Sequence, residues 1–295
     1  MNAALESLRQ SIVSHNARAW DRLAADGVPL ARPARDDAFD NPRSWLAGGQ
    51  AAGGSWLPES LAGLEVLCLA AGGGKHGPLY AAAGARVTVV DLSGAMLELD
   101  RKVARERRVD LELVQTSMDD LGMLGAGRFD LVIHPVSTCY LPDVRGVFDA
   151  VARVTRAGGL YVSQHKSPTS LQATLEPGVA GRYQLVYRQD HGRPLPAVSE
   201  SGARSRLREP GTQECIHSLD ALLGGICRAG FVIEDVQEPN HATAEALPGT
   251  FAHRAAYLPP YVRVLARRRG PPPGTLPVLD GSTTAGNARR RLVEP

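Results

Sequence analysis

Leu64-Glu-Val-Leu-Cys-Leu-Ala-Ala-Gly-Gly-Gly-Lys-His-Gly-Pro-Leu-Tyr-Ala-Ala-Ala-Gly-Ala-Arg-Val-Thr-Val-Val-Asp-Leu-Ser93 decides how this chain folds. An apolar run enters three consecutive glycines, Gly72, Gly73 and Gly74. A small-residue stretch of helical character follows, and a second apolar run over 87–90 ends in Asp91. Strand, tight turn, helix, strand and acid, in that order, build a nucleoside pocket at the C-terminal edge of a parallel sheet. The glycines let backbone approach a ligand without Cβ clashes. The helix N-terminus offers free N–H groups. Asp91, carried out of the second strand, is placed to accept hydrogen bonds from two ribose hydroxyls.

Composition bounds what surrounds this unit. The chain has 295 residues, 43% hydrophobic and 22% charged, which suits one globular domain with additions. A formal net charge of +2 gives no basic surplus that asks for nucleic acid. Lys75, Lys102 and Lys166 are the only lysines; arginine supplies the remaining cations, as codon bias would. Cys68, Cys139, Cys215 and Cys227 form no CxxC pair. They read as reduced, apolar-packed thiols of a cytoplasmic protein, neither disulfides nor zinc ligands. The start, Met-Asn-Ala-Ala-Leu-Glu-Ser, has no basic and apolar signal segment. No apolar run approaches the roughly 18 residues that span a bilayer, so no membrane partner is expected.

Periodicity extends the alternation outward. Residues 4–25 carry a helical apolar pattern, and 27–56, rich in Pro, Gly, Asp and Ala, read as loop with short helical turns. Strands are expected at 65–70, 86–90, 111–115, 129–133, 158–163, 230–236 and 260–266. A helix capped by Ser93 fills 93–108, another fills 143–155, and Ser218 caps one that runs to 229. The expected architecture is α/β: a doubly wound, seven-stranded, mostly parallel sheet. Residues 1–59 form an N-terminal helical and loop cap, 60–269 the main domain with an insert at 166–213, and 270–295 a disordered tail.

Gly72-Gly-Gly-Lys-His-Gly77 fits GxGxxG, a pattern shared with dinucleotide dehydrogenases. The ordered set around it is more specific. Val66-Leu67-Cys68-Leu69-Ala70-Ala71-Gly72-Gly73-Gly74 leads to Asp91-Leu92-Ser93 and then Thr116-Ser117-Met118-Asp119-Asp120-Leu121. Phe129-Asp130-Leu131-Val132-Ile133-His134 precedes Tyr140-Leu141-Pro142-Asp143, Arg156-Ala157-Gly158-Gly159 and Gly230-Phe231. In this order, across roughly residues 60–236, the chain resembles the class I, Rossmann-like S-adenosylmethionine-dependent methyltransferases, in their small-molecule branch. It departs from them at Cys68, at Ala70-Ala71 and at Ser117, where an acid, Gly-Cys and an adenine-binding acid are common.

The resemblance implies S-adenosylmethionine as cofactor. Main chain at Ala70, Gly72, Gly74 and His134 would meet its amino-acid tail. Asp91 would take the ribose diol. Leu92 and Met118 would sandwich adenine, with Asp119 in the same loop; plain core packing is the other reading of Met118. The acceptor would be a small molecule, a specialised metabolite being one expectation, and the protein a monomer or homodimer.

Methyl transfer is displacement at carbon, and much of its acceleration comes from holding the acceptor in line. A base is needed only where the acceptor carries a proton. His165, just past the fifth strand, is the expected base, with Tyr140 as a second catalytic and acceptor-facing group. Trp20, Tyr140 and His217 are the expected acceptor contacts. Lys166 and Glu214 lie among the further candidates, while His76 is expected on a helix surface. Trp20, Trp45 and Trp56 either line an apolar acceptor site or anchor the N-terminal helix. Arg204, Arg206 and Arg208 either grip an acidic acceptor or stay solvated. Three rivals remain at this point: an NAD(P)-dependent oxidoreductase, a non-catalytic protein that binds S-adenosylmethionine without transferring methyl, and an enzyme of this fold that uses the sulfonium only as an electrostatic element.

Overall fold

A computed structural model describes residues 3–49, 53–189, 192–198 and 207–270. The centre is β1 (Glu65–Leu69), β2 (Arg86–Asp91), β3 (Leu111–Gln115), β4 (Phe129–His134) and β5 (Thr155–Lys166), all parallel. β6 (Phe231–Gln237) and β7 (Tyr261–Arg268) complete the sheet in the order β3-β2-β1-β4-β5-β7-β6. β7 runs antiparallel to both its neighbours, from Leu160 opposite Arg267 to Lys166 opposite Tyr261. The seven-stranded, mostly parallel sheet is therefore as expected. Reversal of strand order between β1 and β4 opens the crevice at the C-terminal edge where such sheets bind ligands.

β1 and β2 are apolar almost throughout because helices cover both faces of the sheet. Leu67 and Leu69 join one core layer with Val132, Phe148, Val151 and Tyr161. Val66 and Cys68 join the other with Leu79, Val87, Val89 and Ile133. Helix α2 (Pro42–Gly48) precedes β1, α3 (His76–Ala82), α4 (Gly94–Arg107) and α5 (Arg145–Val154) lie between the strands, and α6 (Pro168–Gln172) follows β5. Ser93 caps α4 as its position predicts, its Oγ accepting from Met96 N at 3.1 Å. α4 ends at Arg108, which adopts a left-handed conformation. Ser218 accepts from Ala221 N, but the turn it opens, Asp220–Gly224, is π-helical before α7 (Gly225–Arg228) becomes regular.

α1 (Ala3–Ala25) does not float free of this core. Asp21 Oδ1 accepts from Ser93 Oγ at 2.6 Å and from Ala95 N at 3.1 Å, adding a carboxylate to the N-terminus of α4. Arg9 grips Asp119 through two bonds of 2.5 and 2.6 Å. Asn16 donates to the carbonyls of Tyr140 and Gln213. The segment after α1 is strapped to the glycine turn: Ala34 N donates to Gly74 O, and Lys75 Nζ to the carbonyls of Pro29 and Leu30.

The sequence misplaces some features. β5 runs to Lys166, beyond the expected end at 163. Cys227 is exposed, whereas Cys68, Cys139 and Cys215 are buried as expected. Arg204, Arg206 and the tail from 271 lie outside the described residues. Among those described, no helix is long and apolar enough to cross a membrane.

Candidate active site

The turn after β1 is built by main chain. Ala70 sits at φ 48°, an uncommon conformation for a residue with a side chain, and Gly74 at φ 73°. A Cβ on Gly72 would come within 2.9 Å of both Asp91 Oδ2 and Met96 Cβ, so only glycine fits. Gly72 N donates to Asp91 Oδ2 at 2.8 Å, and Ser93 N to Asp91 Oδ1 at 2.9 Å. Burial raises the pKa of Asp91 above the usual carboxylate value, while these backbone donors pull the other way.

Behind the turn stands Asp100, fully buried on α4. Its Oδ2 accepts from Gly73 N at 2.8 Å, and its Oδ1 is buried without a hydrogen bond of good geometry among the described residues. Burial pushes its pKa up to about 7, against the opposing donors at Gly74 and Gly73. No sequence signal singles out Asp100, one acid among many charges on its helix.

A cavity of about 320 Å³ opens over this turn. Its wall holds Ala70, Ala71, Gly72 and Asp91 at one side, and Pro135, Val136, Ser137 and Tyr140 after β4. Trp20 reaches it from α1, and Gln164, Glu209 and Tyr261 close it. Of the three tryptophans only Trp20 reaches the cavity, packed edge-on against Tyr140 at 5.7 Å. Trp56 anchors the N-terminal segment instead: its Nε1 donates to Asp235, and the Arg263 guanidinium lies 4.3 Å over its ring. Trp45 is exposed. His76, expected on a helix surface, lines the cavity; burial and then the nearby Lys75 lower its pKa to about 4.

His165 is not at the ligand edge. Strand alternation turns Tyr161, Ser163 and His165 toward α5 and Gln164 toward the cavity. His165 is fully buried, with Nδ1 2.9 Å from Thr138 Oγ1 and Nε2 2.9 Å from Ser163 Oγ. Burial, then the neighbouring His134 and His217, lower its pKa to about 3. Held at both nitrogens in the core, the ring is not part of the cavity wall. The extended β5 hides this: the parity of 164 and 165 depends on a strand longer than the sequence showed.

Other expected site residues also serve the scaffold. His217 Nε2 lies 3.0 Å from both Thr138 O and Leu141 O, bracing the loop after β4 outside the cavity wall. The His134 ring is buried between the Tyr161 hydroxyl at 2.7 Å and Ser137 Oγ at 2.6 Å. Met118 packs into the core beside Ser137, the core reading of that residue. Asp119 is occupied by Arg9, and Leu92 lies off the cavity wall, its carbonyl accepting from Gln115. Arg208 is neither solvated nor free for an acceptor: it is buried and bonded to Glu214 at 2.5 Å.

Arg208 belongs to a network that sequence reasoning missed. Tyr140 donates to Glu209 Oε2 at 2.5 Å, and Lys166 Nζ donates to the same oxygen at 2.8 Å. Lys166 also bonds Glu214, which accepts from Arg208. All five side chains are buried, and only Tyr140 and Glu209 border the cavity. Burial alone works against the Lys166 charge, but the two glutamates outweigh it and hold the ammonium protonated. Two carboxylates and two cations balance, which is what allows such charges below the surface. Lys166 lies 43 residues before Glu209 and 48 before Glu214, so no local spacing links the lysine to the Arg208–Glu214 segment.

These features fit S-adenosylmethionine. The turn at Gly72 borders the cavity as main chain, with no room for a side chain beside Asp91, the carboxylate held at the end of β2. A family model described as a methyltransferase domain matches residues 67–163. Over 237 residues the chain is 29% identical to the uncharacterized methyltransferase YbaJ of Bacillus subtilis, a match spanning 77% of this chain and 91% of that one. The fold is similar to an S-adenosylmethionine-dependent methyltransferase from Mesorhizobium loti, at TM-score 0.57 and 24% identity over 78% of this chain and all of that one. It is also similar to a geranyl diphosphate C-methyltransferase from Streptomyces coelicolor, crystallised with S-adenosyl-L-homocysteine, at TM-score 0.50 and 20% identity over 81% and 86% of the two chains. With sheet order, glycine turn, β2 acid and matched domain in agreement, the chain carries a methyltransferase domain on the fold of S-adenosylmethionine-dependent methyltransferases.

Proposed function

We propose that this enzyme methylates a small molecule, a specialised metabolite, bound between the glycine turn and Tyr140. One observation carries the reading: a single cavity runs from Gly72 and Asp91 to Trp20 and Tyr140. When bound, the cofactor supplies an electrophilic methyl group on a cationic sulfur. Asp91 accepts from the ribose hydroxyls, and the main chain at Ala70, Gly72 and Gly74 lets the amino-acid tail approach. The enclosed wall suits a compact acceptor better than a polymer. Trp20 and Val136 give the acceptor an apolar surface, and Tyr140 orients it. Holding the acceptor in line supplies much of the acceleration without a dedicated base.

Purified protein incubated with methyl-labelled cofactor and a fractionated metabolite extract tests this. The reading expects label in a low-molecular-weight product resolved by mass spectrometry. Label confined to protein or nucleic acid, or cofactor binding with no labelled product from any fraction, would contradict it.

A further inference from the structure

Gln164 is an anomaly in the cavity wall. The residue is only 9% exposed, and its side-chain carbonyl oxygen is shut from solvent without a donor. Its amide nitrogen meets no protein acceptor among the described residues. Leaving a buried carbonyl unpaired is costly, so an amide in this position asks for a ligand group. The same wall carries Glu209, one of the two carboxylates of the buried network. The two cations of that network, Lys166 on Glu209 and Glu214 and Arg208 on Glu214, are absent from the cavity lining and already bonded. Lys75 borders the cavity next to the glycine turn, with its ammonium bonded to two carbonyls of the strap. Trp20, Val136 and the Tyr261 ring add apolar surface to the wall.

We infer that the methyl acceptor is an uncharged or cationic molecule with an apolar body and a hydroxyl or amine donor, and that Gln164 and Glu209 select it. The inference rests on the proposed small-molecule reading and adds the class of acceptor. A hydroxyl or amine satisfies the Gln164 amide. The same wall disfavours an anion: a carboxylate or phosphate would face Glu209, and among the described residues Lys166 and Arg208 are already bonded to carboxylates while Lys75 is held at the glycine turn. Gln164 is a specificity residue here, and its loss should change acceptor binding without touching the cofactor.

Three ring-matched probes test this on the intact protein saturated with S-adenosylhomocysteine: catechol, dopamine and 3,4-dihydroxybenzoate. They share one hydroxyl pair and differ in charge. Calorimetry should show catechol and dopamine binding, and dihydroxybenzoate at least tenfold weaker. Gln164→Met keeps the side-chain length and leaves the ion network alone. It should weaken catechol and dopamine by about fivefold, the worth of an ordinary hydrogen bond, with S-adenosylhomocysteine affinity within twofold of wild type. Equal or tighter binding of dihydroxybenzoate overturns the charge selection. Unchanged catechol affinity in Gln164→Met overturns the role of the amide. Binding of none of the three to the saturated protein overturns the acceptor class while leaving the methyltransferase reading intact. Failure of S-adenosylhomocysteine itself to bind overturns that underlying reading, and the inference with it.

Discussion

The Tyr140 hydroxyl donates to Glu209 Oε2 across 2.5 Å, joining the loop after β4 to a residue 69 positions further along the chain. This bond holds the aromatic ring that faces Trp20, and it places a carboxylate at the cavity wall. Burial, reinforced by the negative charge of Glu209, keeps the phenol pKa well above its usual value, so the hydroxyl remains a donor. Tyr140→Phe removes that donor and leaves Glu209 bonded to Lys166. Bonds to charged groups contribute about 1.5–3 kcal/mol, and urea unfolding should show a loss of that order. S-adenosylhomocysteine affinity should change less than twofold, and kcat/KM on an accepted substrate should fall at least tenfold. Unaltered stability together with unaltered kcat/KM would remove Tyr140 from the site.

His165→Ala separates a structural histidine from a catalytic one. The substitution strips partners from Thr138 and Ser163 in a site closed to solvent. Stability should drop by at least about 2 kcal/mol, from unpaired hydroxyls and a cavity combined. In the protein that remains folded, turnover should stay within threefold and keep its pH profile. A loss of a hundredfold or more that is relieved at high pH would restore His165 as a general base.

Asp100 gives the stability a pH dependence whose sign is fixed. Its pKa rises from 3.8 in the unfolded chain to about 7 in the fold. Between these values the folded state holds a proton that the unfolded state has released, so its contribution is present at low pH and is lost as pH rises toward 7. The span corresponds to roughly 4 kcal/mol at 1.36 kcal/mol per unit. Asp100→Asn cannot titrate. Its stability relative to wild type should therefore climb from pH 4 to pH 7 and then level off, read by denaturant midpoints across that range. A difference independent of pH would show that Asp100 is ionised throughout.

The backbone of this account was legible in the sequence because it rests on local signals. Apolar runs mark β1 and β2, three glycines mark the turn, and Ser93 caps α4 where a hydroxyl precedes a helical pattern. The cofactor end of the site follows from the same segment, since Gly72 and Asp91 flank one βαβ unit. The acceptor end was harder to see. Glu209 meets Tyr140 only through tertiary folding of the insert, and Arg9 meets Asp119 across 110 residues. His165 and Gln164 show how one residue of strand parity exchanges a wall group for a core group. A histidine near a strand end carries the same sequence signal in both settings, and only the length of β5 separates them.

The central claim, that the glycine turn and Asp91 hold S-adenosylmethionine, is tested most directly by calorimetry with S-adenosylhomocysteine on wild type and Asp91→Ala. The variant removes the acceptor for two ribose hydroxyls and leaves the sheet in place. Losing a charge-assisted pair costs roughly 1.5–3 kcal/mol, so affinity should fall about tenfold to a hundredfold while circular dichroism remains native. Saturable wild-type binding with that loss is the predicted result. A folded Asp91→Ala protein that binds S-adenosylhomocysteine as tightly as wild type would contradict the account.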